Sequence, residues 1–211
     1  MAMATCRCCR LYSTRHLHHV PLLQASLDAA AQWLSSCLAS QPSSLLSSLL
    51  TVLLEPGLEP PVRQQAGLQL KNLLQWPGVW QGLEAGQRQV ARQGLLEALA
   101  REQWRPSVAC LCVQAVARLE PWPGLLPSLA ARLQGEVQDG EAMACLDTLA
   151  CLLGEGEAEE AEAAEVLTAV VAVARGSSAL AVRVAAYSCL EAMLPQVASN
   201  MARRGERDYL M

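Results

Sequence analysis

One helical segment recurs four times along this chain, and that recurrence restricts the fold more than any other feature. The copies are VRQQAGLQLKNLL from Val62, SVACLCVQAVARL from Ser107, EAMACLDTLACLL from Glu141 and AVRVAAYSCLEAML from Ala181. Each sets a small residue four positions before an aliphatic one and seven before another: Ala66/Leu70/Leu73, Cys112/Val116/Leu119, Cys145/Leu149/Leu152 and Ala186/Leu190/Met193. The i, i+4, i+7 spacing is the buried stripe of an amphipathic helix, and the small residue lets a neighbouring helix come close. The small positions fall at intervals of 46, 33 and 41 residues, with a mean of 40, and that mean lies near the period of ~40–47 residues of HEAT and armadillo units.

Second helical stretches lie between the copies, over Gly86 to Arg101, Pro123 to Leu133 and Ala161 to Arg175. An earlier pair, Pro21 to Leu38 and Ser43 to Leu54, supplies a leading hairpin. Turn signals separate them at EPGLEPP, QWPGVWQG, EPWPG, QDG, GEGE and RGSS. Pro61, Pro106 and Pro123 sit near helix starts, where a missing N–H costs little. A hairpin of this kind cannot bury its apolar face alone, so stacking is required. The expectation is an all-α protein, an α-solenoid of about four to five hairpins. The last A helix is expected to end near Leu194, leaving a loop and the start of a B helix, so that the final repeat is incomplete and exposes apolar surface.

Composition agrees. The chain of 211 residues is 52% hydrophobic, rich in Ala and Leu and without phenylalanine, a balance that favours helix and supports a sizeable core. Ala29 to Leu54 carries no charge and is long enough to be tested as a membrane span. The SQPSS break and the polar Gln32, Ser35, Ser36, Ser47 and Ser48 make two amphipathic helices the better reading, with no membrane partner. The net charge of −4 includes Arg7, Arg10 and Arg15 and no acid in residues 1–27, so the remainder is near −7. Lys71 is the only lysine. An acidic body without a basic stripe argues against nucleic acid as a partner. Cys37, Cys110, Cys112, Cys145, Cys151 and Cys189 all fall inside apolar helical patterns, as free thiols do in a reducing compartment.

Residues 1–20 stand apart. Their arginines, hydroxyls and lack of acids match a transit peptide, and Cys6, Cys8, Cys9, His16, His18 and His19 are zinc-ligand types at spacings that fit no tetrahedral site. A disordered leader and a wrongly chosen start codon are the favoured readings, ahead of the transit peptide.

Catalysis is not expected. No histidine follows His19, so the body cannot build a Ser-His-Asp or Cys-His unit. There is no phosphate-binding GxxxxGK[ST] loop, no HExxH and no EF-hand pattern. No cofactor or metal is expected in the body. The run GEGEAEEAEAAE holds six glutamates between Glu155 and Glu165, read first as a solvated loop leading into a helix whose positive N-terminal end favours acids, and second as a contact for a basic partner.

Several segments resemble one family. RQQAGLQLKNLLQ, from Arg63 to Gln75, resembles the second-repeat signature of the importin-beta (karyopherin-beta) family, a basic residue ahead of an A-x-L-x-LKN helix. RPSVACLCVQAVARLE followed by WPGLLPSLAARL looks like that family's third repeat, with Trp122 and Pro123 opening the B helix. AVRVAAYSCLEAML with the closing RGERDYLM looks like its fifth. The similarity is collinear over roughly residues 22–211, although the loop after LKN is shorter than the family's. It implies an N-terminal HEAT-repeat region, residues 21–211, of a nuclear transport receptor that moves between cytoplasm and nucleus. In the family the first repeats bind the GTP form of the small GTPase Ran along the concave B-helix surface, middle repeats bind phenylalanine-glycine nucleoporins, and later ones hold cargo or importin-alpha. The resemblance therefore implies Ran-GTP as partner, with a self-sufficient cargo carrier not expected. The alternative is a generic HEAT scaffold that no longer binds Ran.

Within this frame Arg88, Arg92, Gln93 and Glu97, which recur at intervals of four or five along the second B helix, are the candidate partner-binding residues. Arg63, Ala66, Leu70, Lys71, Asn72, Trp122 and Pro123 are the candidate structural signature. Asn72 is expected to hydrogen-bond an adjacent loop and Lys71 to lie near a helix end. Trp76, Trp80, Trp104 and Trp122 lie in or beside turns, where packing across repeats is expected.

Overall fold

A computed structural model describes residues 21–101, 107–155 and 160–209. The expectations for the leader of residues 1–20 and for Pro106 and Trp104, together with part of the glutamate run, lie outside the described residues. Among the described residues there are nine helices and no strand: α1 (Pro21–Ser40), α2 (Pro42–Leu54), α3 (Pro60–Leu74), α4 (Ala85–Ala100), α5 (Val108–Leu119), α6 (Leu125–Gln134), α7 (Asp139–Glu155), α8 (Glu160–Gly176) and α9 (Leu180–Tyr209). The fold is an all-α solenoid of HEAT type. None of these helices is long and apolar enough to cross a membrane.

The chain divides into two compact units, Met1–Leu45 and Leu46–Met211, with the boundary inside α2. In the first, α1 ends in a tight turn in which the Gln41 N–H donates to Cys37 O at 2.8 Å and the Leu45 N–H to Gln41 O at 3.1 Å. Trp33 on α1 is exposed.

In the second unit the A helices α3, α5, α7 and α9 stack on one another in chain order. Each of α4, α6 and α8 packs on the A helix that follows it, and α6 packs on α8. The interior is aliphatic, with Leu70, Leu99, Val113, Leu129, Leu146, Leu149 and Val170 almost fully removed from water. Burying a side chain of this size contributes about 1.5–3 kcal/mol.

Two glycines set how closely helices approach. A Cβ on Gly67 of α3 would lie 2.5 Å from Val108 Cγ1 on α5 and 3.3 Å from Leu53 Cδ1 on α2. One on Gly94 of α4 would lie 2.8 Å from Leu50 Cδ2 on α2. The buried Cys112 Sγ reaches Gly67 O at 3.4 Å across the same α3/α5 contact.

Local signals account for the helix ends. Pro60 and Pro61 open α3 where no intrahelical N–H is needed. Ser107 caps α5, its side chain accepting from the Cys110 N–H at 3.0 Å. The carbonyls at the end of α2 are taken up by Arg63 of α3 and by Arg101, which directly follows α4: Arg63 Nε donates to Leu53 O at 3.0 Å, and Arg101 NH1 donates to Leu54 O at 2.7 Å. These carbonyls lack intrahelical partners, and a guanidinium satisfies them with a charge that complements the helix dipole.

The small-residue stripe holds at its first position throughout, since Ala66, Cys112, Cys145 and Ala186 are all buried. It drifts by the last. Leu73 and Met193 are buried, but Leu119 is exposed and Leu152 half-buried, with Leu153 buried in its place. Helix α5 ends at Leu119, so the last stripe residue of that copy falls at an open terminus.

The end of α9 corrects one expectation. No loop follows Leu194, and the helix runs on through Pro195 to Tyr209. Pro195 supplies no N–H to the carbonyl of Glu191, a loss of about 3 kcal/mol or more. The residues beyond it, including Ala198, Met201, Ala202, Arg203, Arg204 and Glu206, are mostly good helix formers. Helix therefore resumes immediately after the proline.

Candidate protein-binding surface

The candidate surface lies around α4. The turn before it, over residues 75–84, contains Gly78 at a φ of 82°, a left-handed conformation that a side chain would strain. That turn delivers Trp80 into the core, 1% exposed. A second left-handed glycine, Gly124 at a φ of 76°, precedes α6 and completes the EPWPG turn that carries Trp122.

Arg92 on α4 lies between the two indoles. Its Cζ is 5.9 Å from the Trp80 ring centroid and 5.5 Å from that of Trp122. Its NH2 donates to Pro121 O at 3.1 Å and reaches Glu120 Oε2 at 3.2 Å. Arg88 NH1 donates to the same Oε2 at 3.2 Å, and Trp80 Nε1 donates to it at 2.8 Å. One carboxylate oxygen thus accepts two hydrogen bonds, from the α3–α4 turn and α4, and forms a further ion pair with Arg92. Arg92 Nε is buried without a hydrogen-bond partner, and its guanidinium faces aromatic π clouds instead.

The indole hydrogen bond, followed by the Arg88 and Arg92 charges, holds the Glu120 carboxyl below its usual range, while partial desolvation opposes the shift. Burial pushes the Cys145 thiol up to about 12, reinforced by Glu141. Cys189 is likewise pushed up to about 12 by burial and then by Asp147. Such thiols are unreactive packing groups.

Among the candidate partner-binding residues, Arg88 and Arg92 face the α5–α6 turn, whereas Gln93 and Glu97 face the other way. They line a groove of about 650 Å³ between α2 and α4, with Leu46, Leu50, Val90 and Gly94 among the apolar walls. Gln93 is exposed and Glu97 half-buried. Val90 is 69% exposed, a large apolar side chain on an otherwise polar stretch of α4.

Of the signature residues, Arg63, Ala66 and Leu70 are buried. Lys71 is half-buried in the last turn of α3. Asn72 is exposed, and its main-chain carbonyl accepts from the Gln75 N–H at 3.1 Å. Trp122 is half-buried against Arg92, and Pro123 is exposed. Trp76, expected to pack across repeats, is 57% exposed, because the turn that buries Trp80 carries Trp76 to its outer side.

Glu120 escaped the sequence reading. An acid directly after a helix and before PWPG carries no motif of its own, and its role exists only once Trp80, Arg88 and Arg92 from another repeat converge on it.

These stacked hairpins define an importin-beta-like HEAT-repeat fold, and solved structures agree. The chain is similar to importin-beta crystallised in an ammonium sulfate condition, at 24% identity with a TM-score of 0.69, over 90% of this chain and 24% of that one. It is similar to Kap95p, the yeast importin-beta, in a structure where Kap95p binding induces the switch loops of RanGDP to adopt the GTP-bound conformation: 22% identity, TM-score 0.71, 90% of this chain and 24% of that one. A Kap95:Nup1 complex matches at 22% identity and a TM-score of 0.67, over 92% of this chain and 25% of that one. The chain spans about a quarter of the length of these proteins. No family model matches it.

Proposed function

We propose that this chain is a protein-binding HEAT-repeat module of a nuclear transport receptor, one that binds GTP-bound Ran and takes part in nuclear protein import. The observation that carries the proposal is the fold match over 90% of the chain to Kap95p in a structure that concerns Ran. The α4 surface supports it, since Val90, Gln93 and Glu97 offer an apolar residue with polar neighbours beside a groove. Nucleoporin binding belongs to the same reading through the Kap95:Nup1 match, and so does residence in both cytoplasm and nucleus. Because the chain spans about a quarter of those proteins, cargo and importin-alpha binding are left out of the proposal. The role is binding, with no catalytic step.

A second reading, a HEAT scaffold that does not bind Ran, is favoured by one observation. Arg88 and Arg92 are committed to Glu120 and Pro121 within the chain, which leaves fewer cations on α4 for a partner. Binding of the purified chain to Ran loaded with GTP and, separately, with GDP decides between them. GTP-selective binding supports the transport reading, and no binding in either state from a helical, cooperatively folding sample leaves the scaffold.

A further inference from the structure

Two cysteines of successive repeats are set opposite each other where α7 packs on α9. These A helices run in the same direction, because α8 returns the chain between them. Gly154 of α7 and Ala192 of α9 mark the spacing: a Cβ on Gly154 would lie 4.0 Å from the Ala192 Cβ. Cys151 and Cys189 each stand three residues earlier on the same two helices, with the same separation of 38 residues. A step of three along both helices moves about 4.5 Å down the axis and returns to nearly the same face. The two thiols therefore meet one turn below a Cβ separation of 4.0 Å. A disulfide spans about 3.5–4.5 Å between Cβ atoms.

The electrostatics agree with this placement. The Cys189 thiol is pushed up to about 12 by burial first, then by Asp147, then by Cys151. Asp147 and Cys151 are four residues apart on α7, so Cys189 seats between them. An effect of Cys151 on Cys189 requires their sulfurs to be near neighbours.

Access to the two sulfurs is unequal. Cys189 is fully buried and Cys151 half-buried. Gly154 is exposed, so this contact opens to solvent at its edge. A reagent in water meets Cys151 first. Burial keeps Cys189 from reagents in solution, but not from a sulfur already carried by its neighbour.

We propose that Cys151 and Cys189 are a redox-responsive pair, which a small disulfide oxidises to a covalent link between α7 and α9. The Cys151 thiolate attacks one sulfur of the small disulfide and breaks its S–S bond, and the released thiolate takes up the proton that Cys151 gave up. Cys189 then loses its proton and attacks Cys151 Sγ, displacing the second small thiolate, which takes up that proton. Two protein thiols are oxidised by two electrons, and one small disulfide is reduced to two thiols. The link restrains the unfolded chain and pins successive A helices, so the folded pair is easier to oxidise than the unfolded one.

The probe is oxidised glutathione, applied at a series of ratios to reduced glutathione, to the full chain folded in buffer and unfolded in urea. Acid quenching, alkylation and peptide mass spectrometry identify each linkage. The expected result is a Cys151–Cys189 peptide, half formed in the folded chain at a ratio at least about tenfold lower than in urea. Oxidation should raise the urea midpoint, and dithiothreitol should reverse the rise. Cys189→Ala should stop at a glutathione adduct on Cys151, and circular dichroism checks that it keeps its helix. Cys151→Ser, at the half-buried position, should abolish the midpoint rise and leave Cys189 without an adduct. A folded chain that holds glutathione on Cys151 while Cys189 stays reduced overturns the pair. So does a Cys151 bond to a different cysteine, or equal conversion in the folded and unfolded chain.

Discussion

Trp80 Nε1 donates a 2.8 Å hydrogen bond to Glu120 Oε2, joining two turns forty residues apart in the chain. Trp80 belongs to the turn before α4 and Glu120 to the turn after α5, so the bond ties successive repeats at their connections. Arg92, held between Trp80 and Trp122, sits over the same junction.

Replacing Trp80 should therefore cost more than a surface turn residue would. Trp80→Ala removes a fully buried indole and is expected to lower unfolding stability by about 3–5 kcal/mol. Trp80→Phe keeps most of the ring but loses the donor, with an expected cost of about 1–2 kcal/mol. Urea denaturation followed by circular dichroism measures both, and a Trp80→Ala cost equal to that of the exposed Trp76→Ala would contradict the packing account.

Acid should loosen the same junction. The Glu120 carboxyl is held below its usual range by Trp80, Arg88 and Arg92, so its stabilising effect is present above the ordinary carboxylate range. That effect is lost as pH falls through the depressed value. Glu120→Gln should be less stable than the parent at neutral pH, and the gap should close towards low pH. Thermal unfolding of both proteins across an acid series reads this directly, and a gap that widens on acidification would refute it.

Gly67→Ala should destabilise by overpacking. The new Cβ would meet Val108 Cγ1 at 2.5 Å, and Val108 is a buried β-branched residue with little room to turn. The expected loss is about 1–3 kcal/mol, despite alanine's better helix propensity. Pairing it with Val108→Ala should recover part of the loss relative to the sum of the single changes, in a double-mutant cycle.

Alkali should weaken the A-helix stack. Cys145 and Cys189 are pushed up to about 12 in the folded protein, so their contribution is complete below the ordinary thiol range. It is lost as pH rises from there towards about 12, because the unfolded chain ionises first. A Cys145→Ala/Cys189→Ala variant should show a shallower fall in stability over that window. In the native state both thiols should resist alkylation while the half-buried Cys37 and Cys151 react sooner, as mass spectrometry of partially labelled protein would show.

On the α4 surface, Val90→Glu should leave stability within about 0.5 kcal/mol of the parent, because Val90 is exposed. If α4 carries the Ran contact, the same change should weaken Ran-GTP binding at least tenfold. Unchanged binding would move the contact away from this groove.

Much of this architecture was open to inspection in the sequence. The three-and-four spacing around Ala66, Cys112, Cys145 and Ala186 announced the A helices, and proline and glycine clusters marked most turns. The signature around Arg63 carries the resemblance to the fold family. Three features were not legible. Leu119 looked like Leu73 and Met193 in register but lies exposed, because one position decides whether a stripe residue falls inside a helix or at its open end. Pro195 looked like a stop, yet the helix continues, because a single missing hydrogen bond is outweighed when the flanking residues favour helix. Arg88 and Arg92 looked like members of one exposed set with Gln93 and Glu97, but α4 turns the two pairs towards different neighbours.

Sequence by itself determined the helices, their order and the need to stack, because amphipathic spacing, turn chemistry and the burial of small residues act locally and repeat along the chain. Only the tertiary structure decided which charged groups would be spent inside the molecule. Glu120 becomes the acceptor for Trp80 and Arg88, and Arg63 a cap for α2, because packing of the helices brings atoms ten to forty residues apart within hydrogen-bond distance. A one-dimensional period specifies which face is buried. The partner that each polar atom meets there depends on the rotation and offset between neighbouring hairpins.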